Sequence, residues 1–159
     1  MAAPWPLYNH HNNAYQSRSN PMAVLFHENS DNVNWEQLRK DLTDDEFHNG
    51  RTTHQLKLSF ENSQLQAYAN DRERCIGTAR ALSDGVGNAY IIDVWTQSSY
   101  RKQGIATEMM EMLMRKCPGQ HIYLQTDGAI QFYRDLGFND QPLGMSIVIG
   151  EYLQNDTRS

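Results

Sequence analysis

The stretch 96–108, Thr-Gln-Ser-Ser-Tyr-Arg-Lys-Gln-Gly-Ile-Ala-Thr-Glu, has the chemistry of a place where a chain can hold an anion. A nearly continuous apolar run ends there, a polar loop with one glycine, Gly104, follows, and an amphipathic pattern begins. The first turn of a helix leaves backbone N–H groups unpaired and carries about half a positive charge. A glycine in the turn lets a ligand approach the backbone closely. Strand, glycine loop and helix start together make a phosphate cradle. No Gly-Lys-Ser/Thr ends the loop, as a nucleotide P-loop requires, and no Gly-x-Gly-x-x-Gly marks a dinucleotide site. Just upstream, Asp93 is the only charged side chain in the apolar run 89–96. Buried alone it would be costly, so it needs a partner, such as the neighbouring backbone or Arg80, or a part in a reaction.

The other reactive side chains offer less. Cys75 and Cys117 show neither Cys-x-x-Cys spacing nor zinc-type pairing with histidine, and read as thiols of a reduced, cytosolic protein. His10-His11 sits in an Asn-rich stretch and reads as polar filler, so no metal is expected.

The elements that must position the cradle follow from the hydrophobic pattern. Residues 1–20, rich in Asn, His, Ser and Pro, form a flexible N-terminal extension, and 21–159 form a single domain. Residues 22–26 suit a first strand. A helix capped by Asp31 or Asn32 carries Trp35, Leu38 and Leu42, and a second short helix carries Leu56, Ser59 and Phe60 before Asn62-Ser63. Strands are expected at 64–69, 75–82 and 89–96, the last buried on both faces. The period then changes. Ile105, Met109, Met112 and Leu113 share a helical face, and Pro118-Gly119 ends it. A strand at 121–126, a helix at 129–136 stopped by Gly137 and a last strand at 145–153 complete the order. The fold class is α+β, a mixed, mostly antiparallel sheet with helices on both faces.

Composition narrows the partners. The 159 residues amount to about one domain. Three Trp, eight Tyr and five Phe argue for a folded core. With 14 basic and 19 acidic residues the net charge is −5, which disfavours nucleic acid and anionic membranes. No apolar run approaches the ~20 residues of a membrane-spanning helix. The opening Met-Ala-Ala-Pro-Trp-Pro lacks the layout of a secretion signal.

Arg101-x-x-Gly104-x-Ala106 resembles the Arg/Gln-x-x-Gly-x-Gly/Ala signature of the GCN5-related N-acetyltransferase superfamily. Ile92 to Thr96 looks like that family's fourth strand, Ile76-Gly77 with Arg80 like its third, and Tyr133-Arg134-Asp135-Leu136-Gly137-Phe138 like its Tyr-x-x-x-Gly-Phe. The resemblance covers roughly residues 64–153. It departs from the pattern at Ala106, where many members carry glycine, and at Thr126, where many carry asparagine.

The resemblance implies an acetyl-CoA-dependent N-acetyltransferase that transfers acetyl to a primary amine of a small molecule by direct attack in a ternary complex. Coenzyme A would be held by backbone amides of Gln103, Gly104, Ile105, Ala106 and Thr107, with Arg101 and Lys102 adding charge or holding the loop, and Thr126 bonding coenzyme A or capping the last helix. The pantetheine arm would pair with Val94 and Thr96 where strands splay apart at a bulge, and an N–H near Val94 or Trp95 would polarise the acetyl carbonyl. Tyr133 would protonate the leaving thiolate, or else merely pack against the sheet. Asp93 would accept the proton of the amine or contact it, or simply bond an arginine. Strand alternation sets Asp93 opposite Val94 and Thr96, and puts Tyr90 on the Val94 face. His121 and His54 are weaker candidates for the base. Residues 43–51 and the second helix would form the family's variable substrate wall, where Asp44, Asp45 and Glu46, near Trp35, Phe47 and Phe60, suggest a cationic amine with an apolar part, or only a solvated acidic turn. A protein or peptide acceptor, or a non-catalytic CoA-binding module, are the alternatives. The resemblance is compatible with a homodimer.

Overall fold

The computed structural model describes residues 23–142 and 144–153; the extension expected at 1–20, with His10 and His11, lies outside the described residues. The chain runs β1 (Val24–His27), α1 (Trp35–Asp44), α2 (Thr53–Glu61), β2 (Leu65–Asp71), β3 (Arg74–Ser83), β4 (Asn88–Thr96), a 3-10 turn at Ser98–Tyr100, α3 (Ile105–Arg115), β5 (His121–Tyr123) and α4 (Ile130–Asp135). The five strands form one sheet in chain order, antiparallel except for the parallel pair β4–β5. This is the expected mixed α+β architecture.

Helices cover both faces. On one, Ile105, Met109, Met110, Met112 and Leu113 of α3 pack on Ala67, Ala69, Ala79, Ala81 and Ile91, with Phe132, Tyr133 and Leu136 of the α4 region against the same core. The alanines of β2 and β3 let the methionine-rich helix lie close to the sheet. Gly77 takes this furthest: a Cβ there would stand 3.0 Å from Met109 Cε and 3.2 Å from Ile105 Cγ2. Since Gly77 is paired with Thr96, the first turn of α3 is seated beside the end of β4. On the other face Trp35, Leu38, Leu42, Leu56 and Phe60 of α1 and α2 close over Tyr68, Cys75 and Trp95.

Three expectations need correction. The cap of α1 is Asn34, whose side chain accepts from Gln37 N, because Ser30 to Val33 form a turn first. The strand expected at 121–126 stops at Tyr123. Residues 145–153 form no strand. Their apolar residues suit one, but a strand needs a ladder partner, and the segment pairs with none among the described residues. Met145, Ile147 and Ile149 are exposed instead.

Candidate active site

The loop between β4 and α3 is tied down from three sides. Tyr100 Oη donates to Asp71 Oδ2 at 2.7 Å, and Arg101 Nε donates to the Thr96 carbonyl at 3.1 Å. Asp45 Oδ2, at the end of α1, accepts from Trp95 Nε1 and Ser98 N, both at 2.9 Å, and pairs with Arg101 Nη2 at 3.3 Å. Arg101 thus holds the loop, one of the two roles expected of it. Beyond these ties the backbone N–H groups of Lys102, Gln103, Gly104, Ile105, Ala106 and Thr107 donate to no described residue; the first bond of the helix runs from Glu108 N to the Gly104 carbonyl. Lys102 and Gly104 both take left-handed backbone, with φ 60° and 79°, which turns successive amides toward one concavity. Apart from its own chain neighbours and helix backbone, nothing described lies within 4 Å of where a Gly104 Cβ would be, so the loop is open there.

Beside it, β4 has a free edge. It pairs with β5 at Asn88–His121, Ala89–Ile122 and Tyr90–Tyr123, and from Ile91 to Thr96 that edge has no strand partner among the described residues. On the β3 side Thr78 faces Trp95 whereas Arg80 faces Ile92, so β4 carries one residue more than β3. The extra residue coincides with Asp93, whose φ of 55° marks the bulge. The bulge changes the phase of the strand. Ile91 and Val94 both face the α3 core, which turns Tyr90 to the α2 side, not to the Val94 face as simple alternation implies. At the end of β4 the Thr96 hydroxyl is buried without a hydrogen-bond partner. The free edge, the unpaired hydroxyl and the open run of amides fit a pantetheine arm and a diphosphate. Among the described residues no group of three or more His, Cys, Asp or Glu could hold a metal ion.

Tyr133 stands on α4, edge-on to Phe132 and Phe138. Burial pushes its phenol above the ordinary value, so it keeps its proton at neutral pH, and its hydroxyl is bonded to no described residue. It lines a cleft of about 790 Å³ with Leu124, Thr126 and Leu136, whereas Val94 to Thr107 do not line that cleft. Thr126 Oγ1 accepts from Ala129 N at 3.1 Å and so steadies the start of α4.

On the α2 face the Asp93 carboxylate is pinned: Oδ2 accepts from Arg51 Nη1 and from Arg80 Nε, both at 2.7 Å. Burial, the largest influence, pushes this carboxyl up; the bonds and charges of Arg51 and Arg80 outweigh it and hold the group below the usual carboxylate range. A carboxylate held so is a weak base. The arginine-bonded alternative describes what is seen, with Arg51 joining the expected Arg80. His121 is exposed and stacks on Tyr123.

The acidic wall is largely spent as well. Asp44 pairs with Lys40 on the surface, Asp45 is committed to the loop, and Trp35 and Phe60 are core. Sequence reasoning set Arg51 at the end of the expected substrate wall but gave it no role. The local signal for its position was the capping box that starts α2, in which Thr52 Oγ1 accepts from Gln55 N and Gln55 Oε1 accepts from Thr52 N.

The family model described as "Acetyltransferase (GNAT) family" matches residues 27–138. A histone acetyltransferase of Glycine max, TAP1, is 39% identical over 80 residues, 48% of this chain and 35% of that protein. GCN5-related N-acetyltransferase 2, chloroplastic, of Arabidopsis thaliana is 36% identical over 97 residues, 57% of this chain and 38% of that one. The matches thus span little more than a third of these relatives' length. Among solved structures, a GNAT-family acetyltransferase of Streptococcus pneumoniae superposes with TM-score 0.67 at 21% identity, over 80% of this chain and 99% of that one. Glucosamine-6-phosphate N-acetyltransferase of Arabidopsis thaliana does so with TM-score 0.61 at 17% identity, over 80% and 99%. The open amide run after β4, the parting of β4 from β5 and the matched family model lead to one conclusion, that this chain belongs to the GNAT acetyltransferase family.

Proposed function

We propose that the protein is an acetyl-CoA-dependent N-acetyltransferase acting on the primary amine of a small molecule by direct attack in a ternary complex. The observation that carries this is the unbroken run of free N–H groups from Lys102 to Thr107, placed by Gly77 and α3 at the end of an open strand edge. These amides would hold the diphosphate, with Lys102 adding charge. Val94 and Thr96 would align the pantetheine arm along β4, and a backbone N–H near Val94 or Trp95 would polarise the acetyl carbonyl. Bound acetyl-CoA supplies the activated thioester. Tyr133, a phenol that burial shifts further above its ordinary value, would donate its proton to the departing sulfur. Asp93 would position the strand through Arg51 and Arg80, and the amine would lose its proton through water. The reaction suits the cytoplasm, where Cys75 and Cys117 remain free thiols; burial pushes Cys75 to about 12. A second reading, acetylation of a peptide amine, draws on the name of the TAP1 relative.

Thiol release from acetyl-CoA with pooled small amines and with pooled peptides tests both. Turnover on small amines is the expected result, and turnover on peptides alone selects the second reading. Coenzyme A binding with no turnover on either pool would leave only a binding module. Gly104→Val forces a β-branched residue into left-handed backbone and should weaken coenzyme A binding by about tenfold or more in calorimetry. Unchanged affinity would remove the loop from the site.

A further inference from the structure

Arg51 is 5% exposed, yet its guanidinium is only half used. Nη1 donates to Asp93 Oδ2 at 2.7 Å and to Ser59 Oγ at 3.0 Å, while Nε and Nη2 are buried with no hydrogen-bond partner. Nε and Nη2 lie along one side of a guanidinium, and their N–H bonds form the fork that fits a carboxylate. The same molecule shows that use twice. Arg74 grips Asp41 through Nε and Nη2 at 3.0 and 2.6 Å, and Arg134 grips Asp140 through the same pair at 3.1 and 2.6 Å. At Arg51 this edge has no such partner.

The surroundings favour an anion. Arg51 and Arg80 both pair with one oxygen of the Asp93 carboxylate. Arg80 spends its Nη1 on the Ser59 carbonyl and Ser63 Oγ. Asp93 and Arg51 stand under α2, on the face of β4 opposite to the one that α3 and α4 cover toward Val94 and Tyr133. Asp93 is partly exposed as a residue while its side chain is 6% exposed, so the exposure is backbone, at the bulge. The turn at 151–153 rests near Arg51: Leu153 packs on Gly50 and its carbonyl accepts from Gln55 Nε2 at 2.9 Å. Arg51 Nε and Nη2 are closed to solvent, so a ligand must displace a neighbouring segment such as this turn to reach them.

We propose that Arg51 recognises the acceptor, its Nε–Nη2 edge receiving the carboxylate of a compact amino acid whose amine is acetylated. This rests on the acetyltransferase reading and narrows its substrate class from amines to amino acids. It also reverses the sign expected from the acidic stretch at 44–46.

The test compares matched acceptors, L-phenylalanine with phenethylamine and glucosamine 6-phosphate with glucosamine, by kcat and KM at saturating acetyl-CoA. We expect kcat/KM to favour phenylalanine over phenethylamine by about tenfold or more, carried by KM, with a smaller preference for the sugar phosphate. Arg51→Lys keeps a cation for Asp93 but lacks the fork, and should abolish the preference. Wild-type calorimetry with coenzyme A, comparing N-acetylphenylalanine with N-acetylphenethylamine, reads the same selectivity without any variant. Equal handling of acid and amine, or a larger preference for the sugar phosphate, overturns the carboxylate assignment while leaving acetyl transfer standing. Selective binding of the acid without acetylation of any acceptor would keep Arg51 as a carboxylate site and overturn the acetyltransferase reading.

Discussion

Asp93 and Val94 are adjacent in sequence, yet they enter opposite kinds of interior. Val94 packs against the methionine-rich core beneath α3 and shares that core with Tyr133. Asp93 sits between two arginines under α2. The α3 side is positioned by volume, through alanines and Gly77 that admit a helix of flexible methionines. The α2 side is positioned by charge, through groups that each depend on a particular partner. Packed apolar contacts tolerate small changes, whereas a buried charge that loses its counter-ion keeps its desolvation cost. One strand thus has a forgiving face under α3 and an exacting one under α2.

The largest effect should come from the exacting side. Asp93→Asn leaves Arg51 and Arg80 buried without an anion and should cost about 3–5 kcal/mol in denaturant unfolding. Val94→Ala should cost about 1 kcal/mol. Equal losses would erase the contrast between the faces. The pH dependence sharpens it. The folded Asp93 carboxyl lies below its unfolded value near 4, so its contribution is complete above about pH 4 and is lost as pH falls through the lower folded value. Asp93→Asn should flatten the acid limb there. It should not abolish it, since Asp84, held at about 2 by the backbone N–H groups of Asn88, Val86 and Gly87, titrates in the same range.

On the α3 side the next effect is catalytic. Tyr133→Phe removes a hydroxyl that no described residue bonds, so stability should change little, while kcat should fall about 10²-fold with coenzyme A affinity kept. Single-turnover kinetics beside calorimetry check it; an unchanged kcat would remove Tyr133 from proton transfer. This site was legible because its signals are local. Arg101, Gly104 and Ala106 fall within six residues, and the period of Ile105, Met109 and Met112 announces the helix they open. The ion-pair cluster on the α2 side was not legible. Arg51 and Asp93 are 42 residues apart, and nothing in either segment names the other. The bulge left a weak trace, because aspartate tolerates left-handed backbone better than most residues, but its phase change shows only in the β3 register.

Gly77 gives a medium effect that joins the two descriptions. Gly77→Ala puts a methyl 3.0 Å from Met109 Cε and 3.2 Å from Ala69 Cβ. Met109 can swing aside and Ala69 cannot, so overpacking should cost about 1–3 kcal/mol in thermal unfolding. The helix start should also move off the end of β4, weakening coenzyme A binding through Ile105 and Thr96, the two expected binding residues that Gly77 adjoins. Lost stability with unchanged affinity would show that α3 can be lifted without disturbing the cradle.

The smallest effect belongs to a segment that joins neither face. Four of residues 145–149 are apolar, as in a buried strand, yet they lie in the open: Ile147 is 81% and Ile149 80% exposed. Stability follows area removed from water, not pattern, and these side chains bury little. Ile147→Ser should therefore change unfolding free energy by no more than about 0.5 kcal/mol, against about 1 kcal/mol for Val94→Ala on the same assay. A larger loss would mean that the segment is covered in solution, and an accompanying change in molecular mass would identify the cover as a second copy of the chain. A loss at constant mass would instead place the segment against its own sheet, extending the interface at β5 beyond its three pairs.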